Sequence, residues 1–341
     1  MGCRAMQTLF RGRTTAKHAV LAVAVPIFVV GAMMAKSPRM QDPSDAATDQ
    51  EAPKTAPADL AQACRATADW LSGQLTADDR VVVRPPLVIG GNLTVDELDR
   101  VYRDTIAPTV RAIIADYLDG PPSLPTVILL ARDEASYHAV AERLFAAKPQ
   151  SSYGFYRPHL RMVVVNMARG SGGLTHELTH ALLACQSPPV PQWFDEGLAS
   201  LHESSRLCNG VLVGQDNWRL GILQEAIRRG HLLPLEEVIA GDGFREQPIG
   251  TSYAQVRYFC LFLQQHELLR ESCHLLRRNE GENRESHAMI SLFPERNWHQ
   301  IDQEFRRWVL NRRGGGQEAL RDASGPDALA TDVPITESFR A

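Results

Sequence analysis

The chain has 341 residues, of which 44% are hydrophobic and 22% are charged, and its formal net charge is −4. This length allows one large domain or two ordinary ones, and this composition excludes a chain that is disordered throughout. The nearly neutral balance offers no basic surface, so we expect no nucleic-acid partner.

The first segment, residues 1–36, has the pattern of an export signal. The apolar run HAVLAVAVPIFVVGAMMA at 18–35 follows four basic residues, Arg4, Arg11, Arg13 and Lys17. A basic stretch followed by an apolar stretch is typical of a secretory signal peptide. We therefore expect an exported protein, periplasmic or otherwise extracytoplasmic. An uncleaved signal that anchors the chain to the membrane is the open alternative.

Residues 37–59 are rich in Pro, Ala, Asp and Thr and predict a disordered linker. Residues 60–170 then predict the N-terminal α+β part of a domain. The apolar spacing indicates helices at 59–75, 94–118 and 136–146 and buried strands at 126–131 and 161–167. The second helix opens with a capping box formed by Thr94 and Glu97.

Residues 171–313 predict a helical part that carries the most informative motif. After the motif helix, further helices are expected at 193–204, 217–229, 251–268 and 298–312. Residues 314–341 lack apolar periodicity and predict a disordered tail. This order favours an α+β fold with a small mixed or antiparallel sheet, followed by a mostly helical C-terminal half.

Five cysteines follow the predicted signal, and none has the CxxC spacing of a zinc knot or redox pair. In an oxidising compartment some of them can pair. Cys185 with Cys208 is the first expectation and Cys260 with Cys273 the second. Unpaired buried thiols are the equally open alternative.

The stretch GGLTHELTHALL at 172–183 carries the pattern HExxH. Positions four apart lie on one face of an α-helix, so His176 and His180 can bind one metal ion together. Glu177 lies one step round the helix, where its carboxylate can take a proton from an activated water. The alternative interpretation is an amphipathic helix whose histidines have ordinary partners, and the motif alone does not exclude it.

A carboxylate follows the motif at a distance that suits a third ligand. Fifteen residues separate His180 from Glu196, which lies in PQWFDEGLASLHE. The segment SPPVPQ predicts a turn, and WFDEGLASLHE predicts a second helix with acidic residues in its first turn. If Glu196 returns to the metal, the fourth position is left to water, which is the open arrangement of a catalytic zinc.

HExxH followed by W-x-x-E-G-x-A resembles the gluzincin zinc metallopeptidases, which include thermolysin and aminopeptidase N. The longer pattern over residues 80–312 is closest to exported bacterial proteins described as peptidase MA-like. The resemblance implies a zincin-like fold with a Zn2+ ion held by His176, His180 and Glu196. It also implies that Glu177 acts as general base and then as general acid.

The same resemblance assigns two further roles. It implies that the strand RMVVVN at 161–166 is the sheet edge with which an extended peptide pairs. Tyr253, 57 residues after Glu196, stands where aminopeptidase N relatives have an oxyanion-stabilising tyrosine. His231 in RRGHLLP is the alternative donor, and a purely core-packing role for Tyr253 is equally open.

The chain departs from the family patterns at two points. Ser200 stands four residues after Glu196, where thermolysin-type enzymes have an aspartate that orients a histidine. Asp195 or Glu203 can take that role, although each is more simply a carboxylate on a helix surface. The G-x-M-E-N segment that holds a free amino terminus in aminopeptidases is absent, so the length of the substrate is open.

Together these patterns predict an exported zinc-dependent metallopeptidase that acts on a peptide or protein. Glu177 would move the protons, and Tyr253 would stabilise the oxyanion. Two other classes of function are alternatives: a non-catalytic gluzincin-like scaffold that binds envelope proteins or glycans, and a zinc hydrolase that cleaves a non-peptide bond. The intact motif residues argue against a decayed scaffold.

Overall fold

The computed structural model describes residues 57–240, 243–278 and 284–313. The predicted signal or anchor at 1–36, most of the predicted linker and the predicted tail at 314–341 lie outside the described residues. The helices are α1 Pro57–Gln74, α2 Val95–Val101, α3 Ala107–Tyr117, α4 Glu134–Phe145, α5 Gly172–Leu183, α6 Gln192–Glu203, α7 Arg219–Arg228, α8 Leu235–Ile239, α9 Gly243–Glu246, α10 Ile249–Gln265, α11 Leu269–Arg278, α12 Arg284–Ser291 and α13 Trp298–Asn311. The strands are β1 Arg80–Arg84, β2 Leu87–Gly91, β3 Thr126–Ala131, β4 Gly154–Arg157, β5 Met162–Asn166, β6 Ser205–Cys208 and β7 Val211–Gly214.

Five strands form one mixed sheet in the order β1-β2-β3-β5-β4. Strands β2, β3 and β5 are parallel, and the two outer strands β1 and β4 run antiparallel to their neighbours. Strands β6 and β7 form a separate hairpin directly after α6. The predicted α+β class with a mixed sheet is therefore confirmed.

Alternate residues of the central strands supply two cores, because successive side chains of a strand point to opposite faces. Helices α1 and α4 cover one face, which is formed by Val88, Val127, Leu129, Met162 and Val164. Helix α5 lies against the other face, which is formed by Ile89, Ile128, Leu130, Val163 and Val165. The second core continues into the helical half of the chain, so both predicted parts share it.

Most of the predicted elements occur within one or two residues of their expected bounds. The capping box is present, with Thr94 accepting from the backbone of Glu97 and the carboxylate of Glu97 accepting from the backbone of Thr94. A π-helical turn, Tyr102–Ile106, joins α2 to α3 in what was expected to be one helix. Helix α1 begins at Pro57, so its first three residues lie inside the predicted linker.

The prediction that RMVVVN forms the edge of the sheet is wrong. RMVVVN forms β5, which pairs with β3 on one side and β4 on the other. The sheet edge beside α5 is β4, Gly154–Arg157, among the described residues. A short strand such as GFYR carries little periodicity, and strand order depends on pairing between distant segments, so the sequence pattern misplaced the edge.

Neither predicted disulfide forms. The five described cysteines all have free thiols, so the Cys185–Cys208 and Cys260–Cys273 pairs are corrected. The thiol of Cys185 accepts instead from Nη2 of Arg161 at 3.0 Å. Cys260 and Cys273 are both fully buried in the helical core, where the thiols pack as small apolar groups.

The C-terminal end of the motif helix is held by a buried cation. Arg277 of α11 donates to the carbonyl of Tyr117 at 2.6 Å and to the carbonyl of Leu183 at 3.4 Å. These are end carbonyls of α3 and α5, which have no partner within their own helices.

Within the described ranges, no helix combines the length and the hydropathy that a bilayer span needs.

Candidate metal centre

Helix α5 presents both motif histidines on the face that is turned away from its core side. Its apolar residues Leu174, Leu178, Ala181 and Leu182 are fully buried. The rings of His176 and His180, one turn apart, have their centres 4.8 Å from each other. Their Nε2 atoms are 3.1 Å apart, so the two lone-pair positions point to a common place.

Helix α6 delivers the third candidate ligand. It begins directly after the Pro-rich turn and packs against α5 and α10. Oε2 of Glu196 lies 3.7 Å from Nε2 of His176 and 3.5 Å from Nε2 of His180. This oxygen is buried and has no hydrogen-bond partner. The cluster of His176, His180 and Glu196 could therefore hold a metal ion.

The outer nitrogen of each histidine faces a carboxylate of α6. Nδ1 of His180 lies 3.0 Å from Oδ1 of Asp195, and Nδ1 of His176 lies 3.8 Å from Oε2 of Glu203. Both oxygens of Glu203 also accept from Nη1 of Arg219 at 3.0 Å. A carboxylate beside Nδ1 favours the tautomer whose lone pair is on Nε2, which is the form that binds a metal.

These contacts decide between the two roles that the sequence left open for Asp195 and Glu203. Both carboxylates touch a motif histidine, so neither is merely part of a helix surface. Ser200 is fully buried, and its hydroxyl has no partner among the described residues. The sequence did not point to Arg219, because this first residue of α7 reaches Glu203 only through the tertiary fold.

The ring charges at this cluster are set by burial and by the neighbouring carboxylates. Burial and the charge of His180 lower the pKa of His176 to about 3. Burial opposes the protonation of His180, but the charges of Asp195 and Glu196 raise its pKa well above the ordinary value. Burial also acts against ionisation of Glu196, yet the charge of His180 lowers its pKa overall. The cluster thus combines an ionised Glu196 with a protonated His180 and a neutral His176.

Glu177 lies beside the three converging atoms without joining them. Its side chain is buried, and burial, with smaller contributions from Glu196 and other carboxylates, raises its pKa to about 7. The edge strand passes close over it: a Cβ added to Gly154 would lie 3.2 Å from Cγ of Glu177. Glu177 is therefore a buried carboxyl group that lies beside the ligand cluster and against the edge strand.

Tyr253 of α10 reaches the same place. Burial, followed by the charge of Glu196 and a hydrogen bond to it, raises the pKa of the Tyr253 phenol. The charge of Glu177 acts in the same direction. The ring of Tyr253 packs against Phe244, with 5.6 Å between the ring centres. The structure thus brings the predicted oxyanion donor to the ligand cluster.

The alternative donors lie elsewhere. Arg219 at the start of α7 is beside Glu203, whereas the exposed His231 follows the other end of that helix. The nine steps from Arg219 to Arg228, at 1.5 Å rise per residue, put the two ends of this helix roughly 13–14 Å apart. A second tyrosine of α10, Tyr258, directs its hydroxyl to the backbone of Asn217 and not to the ligand cluster.

Comparison with known proteins assigns no family: no family model and no curated protein matches the chain. The chemistry of the site must therefore be argued from its residues and their arrangement.

Proposed function

We propose that this chain is an exported zinc-dependent metallopeptidase with a zincin-like fold, related to the gluzincins. The observation that carries the proposal is the convergence of His176 Nε2, His180 Nε2 and Glu196 Oε2 beside the buried Glu177. The resemblance of HExxH and W-x-x-E-G-x-A to the gluzincin motifs supports the same assignment.

The donor set and its spacing fit zinc. A tetrahedral zinc site with ligands at about 2.0–2.2 Å has ligand atoms roughly 3.3–3.6 Å apart. The three separations here are 3.1, 3.5 and 3.7 Å. Two imidazoles with one carboxylate suit zinc better than calcium or magnesium, which prefer oxygen ligands. When bound, zinc supplies Lewis acidity, which polarises a carbonyl group and lowers the pKa of water.

Glu177 is assigned the proton transfers. A carboxyl group with a pKa of about 7 can both accept and return a proton near neutral pH. It would take a proton from water as the water oxygen bonds to the carbonyl carbon. It would then give that proton to the amine nitrogen as the carbon–nitrogen bond breaks.

Tyr253 is assigned the stabilisation of the developing oxyanion. Its raised pKa keeps the phenol protonated, so the hydroxyl can donate a hydrogen bond. A donor placed before the reaction begins stabilises charge that forms only in the transition state.

The open edge of β4 is assigned to the substrate. An outer strand presents unpaired backbone groups, and an extended peptide can pair with them. Because Gly154 of β4 lies against Glu177, a peptide paired with β4 would pass beside the proton-exchanging carboxylate. This arrangement favours a polypeptide over a non-peptide substrate.

Export is proposed from the basic and then apolar pattern of residues 1–36. Fractionation of cells that produce the full-length chain would test it. Recovery in the cytoplasmic fraction alone would contradict export, and recovery with the membrane would favour the uncleaved anchor.

Zinc content and proteolysis of the full-length chain test the activity. We expect about one zinc per chain, lost or much weakened in Glu196→Ala. Glu177→Gln should keep the zinc and lower cleavage of an unfolded protein substrate by at least about a hundredfold. A folded wild-type chain that takes up no zinc would contradict the metal site. A zinc-loaded chain that cleaves no polypeptide would favour the scaffold or the non-peptide hydrolase.

A further inference from the structure

We propose that Arg157 makes the enzyme select substrates with an acidic side chain on one side of the cleaved bond. This inference depends on the proposed peptidase function and on substrate pairing with β4. It concerns a small surface formed by Phe145, Phe155 and Arg157, which we call the Arg157 shelf.

The Arg157 shelf lies at the open edge of the sheet, on the face opposite the metal cluster. In the antiparallel register of β4 and β5, Phe155 is opposite Val164 and Arg157 is opposite Met162. Val164 and Met162 belong to the core on the α4 face, and Phe155 packs against that core. Phe155 and Arg157 therefore face α4, whereas Gly154 faces α5.

Arg157 is a half-buried cation with no anion paired to it in the part of the chain that the structure describes. The guanidinium carbon lies 5.2 Å from the ring centre of Phe145 and 5.3 Å from that of Phe155. Its Nε atom is buried and has no hydrogen-bond partner. None of the ion pairs among the described residues includes Arg157. Two aromatic contacts thus hold the guanidinium in place while its hydrogen-bonding capacity is left for an incoming group.

The direction of β4 fixes where that incoming group lies along a bound peptide. Gly173, near the start of α5, approaches Tyr153, and Gly154 approaches Glu177 in the middle of the helix. From Gly154 the strand continues for three residues to Arg157, a distance of about 10 Å. Arg157 therefore lies beyond the cleaved bond, on the side of the C-terminal half of α5.

A peptide strand paired with β4 places alternate side chains on the α4 face. The side chain opposite Arg157 would be about three residues from the bond beside Glu177, and it would project over the Arg157 shelf. A guanidinium matches the two oxygens of a carboxylate with parallel hydrogen bonds. The chemistry of the shelf therefore selects Asp or Glu at that position and disfavours Lys or Arg.

A set of peptides that share one mapped cleavage site tests this selection. In each peptide, one position within four residues of the cleaved bond is varied, and it carries Glu, Gln or Lys. With the full-length, zinc-loaded chain, Glu about three residues away on one side should raise kcat/KM about tenfold over Gln, and Lys should lower it. Arg157→Glu should reverse the order, and Arg157→Gln should remove it. Arg65→Glu reverses the charge of an exposed residue on α1, which packs on β1 and β2 at the opposite edge of the sheet from β4. This change should leave the order of preference as in the wild type.

Equilibrium binding separates failure of this inference from failure of the proposed function. Fluorescence anisotropy of the labelled peptides is measured with Glu177→Gln and with Glu177→Gln combined with Arg157→Glu. Cleavage by the wild type without a charge preference, or a preference that Arg157→Glu does not change, overturns the inference and leaves the peptidase assignment intact. If no peptide is cleaved, the peptidase assignment fails. In that case, tighter binding of the acidic peptides that requires Arg157 still supports the selection by the Arg157 shelf. Equal binding of all peptides overturns it.

Discussion

Oδ1 of Asp195 lies 3.0 Å from Nδ1 of His180, and the next residue along α6 directs its own carboxylate towards the other nitrogen of the same ring. One helical turn of α6 thus supplies both an orienting group and a candidate ligand to the histidine of α5. Glu203, two turns further along, lies at a longer distance, 3.8 Å, from Nδ1 of His176.

Loss of either orienting carboxylate should weaken the metal site. We expect Asp195→Asn and Glu203→Gln each to reduce zinc affinity by about 10–100-fold, because the imidazole loses the partner that sets its tautomer and orientation. Competition with a chromophoric chelator measures the affinity. Glu225→Gln, which removes an exposed carboxylate of α7, is the control and should have no effect. Unchanged zinc affinity in both site variants would show that the two contacts do not orient the rings.

Gly154 should be intolerant of a side chain. A Cβ there would lie 2.9 Å from the carbonyl oxygen of Val164 and 3.2 Å from Cγ of Glu177. Gly154→Ala should therefore displace the edge strand or Glu177 and lower kcat/KM by at least about tenfold, with zinc content retained. Gly120→Ala, where nothing lies within 4 Å of the added carbon, is the matched control. Full activity of Gly154→Ala would mean that Glu177 is not held by the strand.

Gly197 should be required for the close approach of α6 to α10. A Cβ there would lie 2.8 Å from Sγ of Cys260 and 2.9 Å from the carbonyl oxygen of Val256. Gly197→Ala should reduce the free energy of unfolding by about 1–3 kcal/mol in a urea titration. Gly221→Ala on α7, where the added carbon meets nothing within 4 Å, should be neutral or stabilise by up to about 1 kcal/mol. Equal effects of the two changes would contradict the packing argument.

His202 should make the fold sensitive to acid. Its Nδ1 lies 3.0 Å from Oγ1 of Thr179, and burial, together with the charge of Arg257, lowers its pKa to about 3. An unfolded-state histidine has a pKa of about 6.5, so between these values the unfolded state binds more protons. The stabilising contribution is complete above pH 6.5 and is lost as pH falls, by about 1.4 kcal/mol per pH unit.

Urea unfolding at pH 7.5 and pH 5.5 checks this prediction. From the higher to the lower pH, the wild type should lose about 1.4 kcal/mol more of its free energy of unfolding than His202→Gln does. The comparison uses the difference between the two proteins, so the contributions of other titrating groups to the pH dependence cancel. An identical pH dependence in both would show that His202 is not held neutral by the fold.

Local patterns predicted the elements that depend on local interactions. The capping box at Thr94 and Glu97 and the apolar run of β3 both indicated their elements at nearly the right bounds. The hairpin of β1 and β2 was not predicted, because Pro85 and Pro86 divide RVVVRPPLVIGG into two runs that are each too short to indicate a strand clearly. The predicted disulfides failed because cysteine spacing does not determine which thiols meet.

The candidate site also has one part that local sequence predicts and one part that depends on the tertiary structure. The i, i+4 spacing of His176 and His180 follows from helix geometry alone, so the sequence by itself determined that two imidazoles share a face with Glu177 next to them. The residue types also indicated which metal such donors would suit, which is the zinc of our proposal. These conclusions need only the periodicity of one helix.

Only the tertiary structure decided the rest. The crossing of α5 and α6 brings Glu196 to the histidines and turns Asp195 and Glu203 into their partners. The order of the strands makes β4, and not β5, the edge beside Glu177. Each of these relationships joins segments that are distant along the chain, and the free energy that selects them comes from packing the two cores, which no local pattern encodes.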